Sequence, residues 1–253
     1  MRIDKYLSEI FGSRTKAATA INKGLVLVNG KTVDPAYDFK GSESLTFIQA
    51  EESYVSAGGF KLSKALKEFE FSVKDKVFAD IGASTGGFTD CLLKNGARKV
   101  YCIDVGESQL DKSLICEKTV VVDHYNARNL EKSLFSEELD GIVIDVSFIS
   151  LTYILNAVGR VLSDGASVIA LIKPQFECER IGLNGNGILP FKYHAKLLAS
   201  FYDYCLAVGL PVQNITNAPI VEKKNIEYVL FLKKHPEALG KEIFLRRAAE
   251  ISI

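Results

Sequence analysis

One stretch constrains this chain more than any other. Val77-Phe78-Ala79-Asp80-Ile81-Gly82 reads as a buried strand, Ala83-Ser84-Thr85-Gly86-Gly87 as a glycine-rich loop, and Phe88 to Lys94 as a helix ended by Asn95-Gly96. Lys99-Val100-Tyr101-Cys102-Ile103 is then a second strand, with Asp104 at its C-terminal end. Together they form a βαβ unit whose loop glycines let a ligand approach the backbone. An acid at the end of the second strand suits a ribose diol, because a carboxylate accepts hydrogen bonds from both hydroxyls. That much does not separate cofactors, since dinucleotide enzymes also place an acid about 20 residues beyond the loop.

The alternation continues downstream. Thr119 to Val122 is a third strand ending at Asp123, in the usual place for an adenine contact. Asp140 to Ile144 is a fourth, ending at Asp145, and Val168 to Ile172 a fifth, ending at Lys173-Pro174. Helices are expected near 107–116, 128–138, 150–163 and 191–208, and an earlier one from Lys61 to about Glu68, entered from a Gly58-Gly59 turn. This pattern predicts a Rossmann-like α/β fold, with a mostly parallel, doubly wound sheet and helices on both faces. Ligands of such sheets bind at the carboxyl ends of the strands, where Asp80, Asp104, Asp123, Asp145 and Lys173 all fall.

Composition narrows the function classes. With 47% hydrophobic residues the chain can bury a sizeable core, and 31 basic residues against 31 acidic ones make no global polycation. Any nucleic-acid surface must therefore be local. The five cysteines (Cys91, Cys102, Cys116, Cys178, Cys205) include no Cys-x-x-Cys pair, which argues against disulfides and zinc. His124, His194 and His235 stand alone, so no metal is expected. No signal peptide and no run of 18 apolar residues is present, and the expected location is the cytoplasm.

Residues 1–50 read as a separate small α+β unit. Ile3, Leu7 and Ile10, then Ala17 and Ile21, suggest two helices broken near Gly12-Ser13-Arg14, with Ser13 as N-cap. Asn29-Gly30 between Leu25-Val28 and Lys31-Val33 is a hairpin signal, and Ser44 to Ile48 a further strand. Residues 1 to 40 hold seven basic side chains against four acidic ones. Residues 51–56 read as a linker, 57–235 as the catalytic domain, and 236–253 as a helical tail with Ile243, Leu245 and Ala248 at helical spacing.

Lys61, Asp145, Lys173 and Glu227 are weighed together. Charges emerging from buried strands are expensive unless paired. A structural ion pair capping two strands accounts for Asp145 and Lys173. So does catalysis: a ribose 2′-hydroxyl must lose its proton as it attacks, and a lysine serves as base when burial and a second cation, here Lys61, depress its pKa. Asp145 and Glu227 would orient the two ammonium groups.

Three resemblances bear on these alternatives. The loop Asp80-x-Gly82-Ala83-Ser84-Thr85-Gly86-Gly87-Phe88 resembles the methionine-binding loop of S-adenosylmethionine methyltransferases, and no Gly-Lys-Ser or Gly-Lys-Thr follows it as in a Walker loop. Arg2-x-Asp4-x-x-Leu7, Ser13-Arg14-Thr15-Lys16-Ala17 and Ile21-x-x-Gly24-x-Val26-x-Val28-Asn29-Gly30 resemble the RNA-binding domain of ribosomal small-subunit protein four. That resemblance implies RNA contacts from Arg2, Arg14, Lys16, Lys23 and Lys31. Ser56-Ala57-Gly58-Gly59-Phe60-Lys61-Leu62, Asp80 to Asp90, Asp145-Val146-Ser147-Phe148-Ile149-Ser150-Leu151 and Lys173-Pro174-Gln175-Phe176-Glu177 are similar to the TlyA family, itself similar to FtsJ-type ribose methyltransferases.

The family resemblance implies 2′-O-methylation of ribosomal RNA, typically at cytidine and within a ribosomal subunit, by a Lys61-Asp145-Lys173-Glu227 tetrad. S-adenosylmethionine would lie on Asp80, the 82–88 loop, Asp104, Asp123, Asn126 and Asp145. Members are often labelled haemolysins, though nothing in this sequence suggests a pore. Three positions depart from the family pattern. Ala57 stands where Arg is common, Tyr125 precedes Asn126 where Thr is usual, and the 180–187 loop lacks a lysine-bearing glycine run. That loop reads as a substrate lid. The competing readings are a nicotinamide-dependent oxidoreductase with an accessory RNA-binding domain, and a non-catalytic RNA-binding or membrane-active protein.

Overall fold

The structure, a computed structural model, describes residues 1–22, 25–47, 54–178, 182–220, 224–235 and 237–251. The chain divides into two compact units, Met1–Ser53 and Tyr54–Ile253. Lys23, Ile48, residues 51–53 of the expected linker, and Arg180 and Ile181 of the expected lid lie outside the described residues.

In the first unit the first expected helix is two short turns, α1 (Ile3–Tyr6) and α2 (Ser8–Phe11), joined at Leu7. Gly12, at φ +73°, ends α2 in the left-handed region, where a side chain would be strained. Ser13 Oγ accepts the Lys16 N–H at 3.2 Å and so starts α3 (Arg14–Asn22). β1 (Val26–Val28), β2 (Lys31–Thr32) and β3 (Leu45–Phe47) form an antiparallel sheet in the order β2-β1-β3. Val28 pairs with Lys31, leaving Asn29 and Gly30 as a two-residue turn with φ +49° and +75°. Both positive angles belong to the turn whose twist suits a hairpin. Ile3, Leu7, Ala17, Ile21, Val26, Val28 and Phe39 close a small core.

The second unit opens with α4 (Ala57–Glu68) and continues through β4 (Val77–Ile81), α5 (Gly87–Lys94), β5 (Lys99–Ile103), β6 (Thr119–Val122), β7 (Gly141–Ile144) and α6 (Thr152–Val161). It ends with β8 (Ser167–Ile172), α7 (Pro174–Glu177), α8 (His194–Ala207), β9 (Val212–Asn217), β10 (Tyr228–Lys233) and α9 (Lys241–Glu250). The seven strands are ordered β6-β5-β4-β7-β8-β10-β9. The first five run parallel, and β10 lies antiparallel to both β8 and β9. Side chains alternate between two buried faces: Val77, Ala79 and Ile81 meet α6, α8 and α9 on one, while Phe78, Val100 and Cys102 meet α4 and α5 on the other. Covered on both faces, the central strands carry the continuous apolar runs seen in the sequence. The fold is thus the expected Rossmann-like α/β architecture.

Several elements differ from expectation. Gly58 and Gly59 are not a turn before the helix but lie inside the first turn of α4. A Cβ on Gly87 would stand 2.9 Å from the Gly59 nitrogen and 3.1 Å from Gly58 Cα, so the glycines let α4 and α5 touch backbone to backbone. The helices expected near 107–116 and 128–138 are reduced to single turns at Lys112–Leu114, Ala127–Asn129 and Lys132–Leu134. Asp111 and Asn126 accept the N–H groups of Ser113 and Arg128, a local bond that competes with helix propagation. Tyr54–Ser56, read as linker, packs on the second unit: the Val55 N–H donates to Asp90 Oδ2 at 2.9 Å. Strands β9 and β10 were not foreseen, and α9, read as part of a tail, buries Phe244 completely in the second unit's core.

Candidate active site

β7 and β8 are neighbours with Ile144 opposite Ala170, so the residues that leave their carboxyl ends emerge side by side. Lys173 Nζ lies 2.5 Å from Asp145 Oδ1 and donates to Ser147 Oγ at 2.8 Å. Lys61, on the first half of α4, places its Nζ 3.7 Å from Asp145 Oδ2 and 2.6 Å from Glu227 Oε2. Glu227 immediately precedes β10. The four residues singled out in the sequence therefore form one chain, Glu227–Lys61–Asp145–Lys173, with Ser147 as an unforeseen fifth member. Lys173 is buried.

One helical turn after Lys61, Lys64 fixes α4 to β9. Its Nζ donates to Thr216 Oγ1 at 3.1 Å, to the Asn217 carbonyl at 2.8 Å and to Asn217 Oδ1 at 2.7 Å. Asn225 performs a similar task at the other side, accepting the Leu189 N–H at 2.8 Å and donating to the Gly187 carbonyl at 3.0 Å. His194 is buried between the Tyr228 hydroxyl and the Leu189 carbonyl, and burial lowers its pKa. It is a satisfied core histidine.

A cavity of about 420 Å3 opens at the ends of β4, β5 and β7, with Gly82, Ser84, Asp104, Asn126, Asp145 and Ser147 in its wall. Gly82, at φ +79°, is required there, because a Cβ would meet the Asp145 carbonyl oxygen at 2.9 Å. Asp104 orders the rim: its Oδ2 accepts the Ser84 N–H and its Oδ1 the Gly106 N–H, each at 2.8 Å. Asp80 is fully buried, with Oδ2 accepting from the Thr89 hydroxyl at 2.7 Å and Oδ1 having no hydrogen-bond partner among the described residues. Burial, joined by the nearby charges of Asp145 and Asp104, pushes its carboxyl up to about 7.

The remaining members of the expected cofactor set sit elsewhere. Ala83 and Phe88 face the α4–α5 core, Gly87 is the helix contact, and Gly86 lies against Leu110 and Leu114. Thr85 is exposed, with its carbonyl accepting the Asp111 N–H, and Asp123 accepts the Ser108 N–H at 3.0 Å. Val105, Gln109 and Phe148 line the cavity and were missed. An apolar residue directly after Asp104, left 69% exposed, is the signal that could have found Val105.

Two further cavities continue from the first in series. One, of about 620 Å3, shares Phe148 and Ile149 with it and also contains Arg128, Tyr153, Gln175 and Phe176. Phe148 is 91% exposed at φ +64°, an outlying conformation for a bulky residue, and its ring lies 5.1 Å from that of Phe176. Arg128 sits over the Tyr153 ring at 4.8 Å. The other, of about 640 Å3, continues past Ser150, Thr152 and Glu177 to Tyr193 and Lys196. A smaller cavity of about 350 Å3 holds Lys61 and Glu227, with Gln175 common to it and the first of these two.

Residues 54–234 match the FtsJ-like methyltransferase family, and residues 1–45 match the S4 domain. This chain belongs to the FtsJ-like methyltransferase family. The methyltransferase is 42% identical over 236 residues to Hemolysin A of Brachyspira hyodysenteriae, covering 90% of this chain and 98% of that one. It is 34% identical to the 16S/23S rRNA (cytidine-2′-O)-methyltransferase TlyA of Mycobacterium tuberculosis, covering 93% and 91% of the two chains, so it is a TlyA relative as well. The solved structure of a Streptococcus thermophilus protein labelled a hemolysin superposes with a TM-score of 0.76 at 36% identity, covering 100% of this chain and 95% of that one. No helix among the described residues of the methyltransferase is long and apolar enough to cross a membrane.

In the S4 unit, Arg2 donates to both oxygens of Asp4, at 3.2 and 2.8 Å, and Arg14 Nε reaches Oδ2 at 3.1 Å. Those hydrogen bonds, Arg2 first, hold the Asp4 carboxyl down at about 2. Arg2 and Arg14 thus anchor the unit's own fold while remaining half-exposed. Lys16 and Lys31 are exposed.

Proposed function

We propose that this enzyme transfers a methyl group from S-adenosylmethionine to the 2′-hydroxyl of a ribose in ribosomal RNA, at a cytidine within a ribosomal subunit, in the cytoplasm. The observation that carries the reading is the Glu227–Lys61–Asp145–Lys173 chain beside the glycine-walled cavity. The names of the TlyA relatives support the substrate.

The cavity suits S-adenosylmethionine by its donor set. Asp104 offers a carboxylate to a ribose diol and Asn126 a side-chain amide to an adenine, both in the cavity wall, while Asp80, fully buried and outside that wall, has Oδ1 without a hydrogen-bond partner among the described residues. When bound, S-adenosylmethionine supplies an electrophilic methyl group on a sulfonium sulfur. Lys173 Nζ takes the proton that the hydroxyl releases. The ammonium so formed is received by Asp145 at 2.5 Å and Ser147 at 2.8 Å, which also fix where Nζ points. Lys61 occupies the other oxygen of Asp145, and Glu227 holds Lys61 in turn. Holding these groups rigidly converts the encounter into an oriented one, which lowers the barrier.

The deciding experiment is transfer of labelled methyl from S-adenosylmethionine to separated, undermethylated ribosomal subunits. Label recovered in an alkali-resistant dinucleotide is the expected result and identifies the subunit. Label in a base, or none on either subunit with cofactor bound, would overturn the assignment.

A further inference from the structure

We propose that the catalytic unit carries a second nucleotide subsite, the 640 Å3 chamber between α6, α7 and α8, which takes an unstacked RNA nucleotide adjacent to the one being modified. This rests on the RNA reading above and extends it from the reacting ribose to its neighbour. The cavities adjoin in series: the cofactor cavity shares Phe148 and Ile149 with the 620 Å3 chamber, which shares Ser150, Thr152 and Glu177 with the 640 Å3 one. The nearer chamber also shares Gln175 with the cavity of Lys61 and Glu227, so it is the one that opens toward both cofactor and tetrad. A target nucleotide there leaves the farther chamber for the next residue along the strand. Its volume is within the range of ordinary small-ligand sites.

The walls have the chemistry of a single-strand groove. Tyr153 in the nearer chamber and Tyr193 in the farther one are 60% and 42% exposed, and Phe191, 52% exposed, lies two positions before Tyr193 outside both walls. Cations accompany them: Arg128 over Tyr153, Lys192 at 5.1 Å from the Tyr193 ring, and Lys196 in the chamber wall. Stacking faces interleaved with Lys and Arg bind bases and backbone without reading sequence. Among the described lining residues of the two chambers, Glu177 is the single acid. Its Oε1 is turned inward onto the Leu151 N–H at 2.9 Å, and burial raises its carboxyl pKa. An A-form duplex cannot insert a base into such a chamber, which selects an unpaired segment.

The test is steady-state methyl transfer to undermethylated ribosomal subunits by wild type, Tyr193→Ala, Tyr193→Phe and Lys196→Gln. These side chains are exposed and lie apart from the tetrad, so the variants fold. Tyr193→Ala should raise KM for the subunit roughly tenfold with kcat retained, and Tyr193→Phe should recover most of that loss, because the ring face does the stacking. Lys196→Gln should make the salt dependence of KM shallower by roughly one phosphate contact. Wild-type KM and salt dependence in a Tyr193→Ala, Lys196→Gln double variant would overturn this subsite alone. A wild-type enzyme that modifies no RNA would overturn it together with the reading it rests on.

Discussion

Lys173 and Asp145 leave adjacent parallel strands at the same end of the sheet and meet at 2.5 Å. Asp145 faces a second ammonium group, Lys61, at 3.7 Å, so one carboxylate serves two lysines. Lys61 is held in turn by Glu227 at 2.6 Å, so two lysines and two carboxylates balance, and removing one member tests what it does for the rest.

Lys173→Ala leaves Asp145 and Glu227 to share Lys61, whose Nζ lies 3.7 and 2.6 Å from them. The variant should fold and bind S-adenosylmethionine as wild type does, while kcat falls by about 100-fold to 10,000-fold. Cofactor titration beside single-turnover transfer separates the two effects. Loss of cofactor affinity equal to the loss of rate would remove Lys173 from the role of base.

Asp104→Ala should show the opposite split. Its carboxylate holds the Ser84 and Gly106 N–H groups at the cavity rim, and it is the proposed acceptor of the ribose diol. Hydrogen bonds to charged groups contribute about 1.5–3 kcal/mol each, so cofactor affinity should fall by at least tenfold. The rate at saturating cofactor should change far less. Calorimetric titration that finds wild-type affinity would place the diol elsewhere.

Asp80 links the site to pH. Its carboxyl titrates at about 7 in the folded protein because burial disfavours the charge, against about 3.9 when unfolded. Folding is therefore most favoured with Asp80 protonated, and this contribution is lost as pH rises from about 4 through 7. Asp80→Asn, whose carbonyl still accepts the Thr89 hydroxyl, should be more heat-stable than wild type at pH 8, with the gap narrowing at pH 5. It should also bind the cofactor more weakly. A Tm difference that is flat with pH would contradict the burial argument.

These residues show where the sequence was readable. Asp80, Asp104, Asp145 and Lys173 each follow or end an apolar run, so strand ends alone located them. Lys61 and Glu227 follow no buried strand; they entered as charges suited to flank Lys173, and family resemblance is what implied their place in the tetrad. Ser147, Lys64 and Asn225 had neither, because each acts through a tertiary contact: Lys64 meets Thr216 and Asn217, some 150 positions away. The helices expected near 107–116 and 128–138 failed for the complementary reason. They were placed from the strand alternation, but Asp111 and Asn126 offered backbone N–H groups a nearer partner.

The basic residues of the S4 unit should separate by the same logic. Lys16→Gln and Lys31→Gln remove exposed cations, and each should lower the slope of log affinity against log salt by roughly one unit without altering stability. Arg2→Gln instead strips Asp4 of its first hydrogen-bond partner and should lower the unit's melting temperature. Filter binding over a salt series, paired with thermal denaturation, reads both. Equal salt effects from Arg2 and Lys16 with no stability change would mean the Asp4 contacts do not anchor the fold.

The C-terminal helix gives the last expectation. Phe244 on α9 is fully buried, with its ring 5.3 Å from that of Tyr202 on α8. On the same helix Arg247 donates to Asn214 Oδ1 at 2.7 Å, and Asn217 donates to the Ile251 carbonyl at 2.9 Å. Asn217 is also the residue that receives Lys64 from α4, one turn past Lys61, so α9 braces the strand against which α4 is fixed. Phe244→Ala should cost about 3–5 kcal/mol, a drop in melting temperature of roughly 10 °C for a unit of this size. Below that temperature it should still bind cofactor, since no α9 residue reaches the cavity wall. A variant as stable as wild type would make α9 an appendage and leave Lys64 and Asn217 as the whole of the brace.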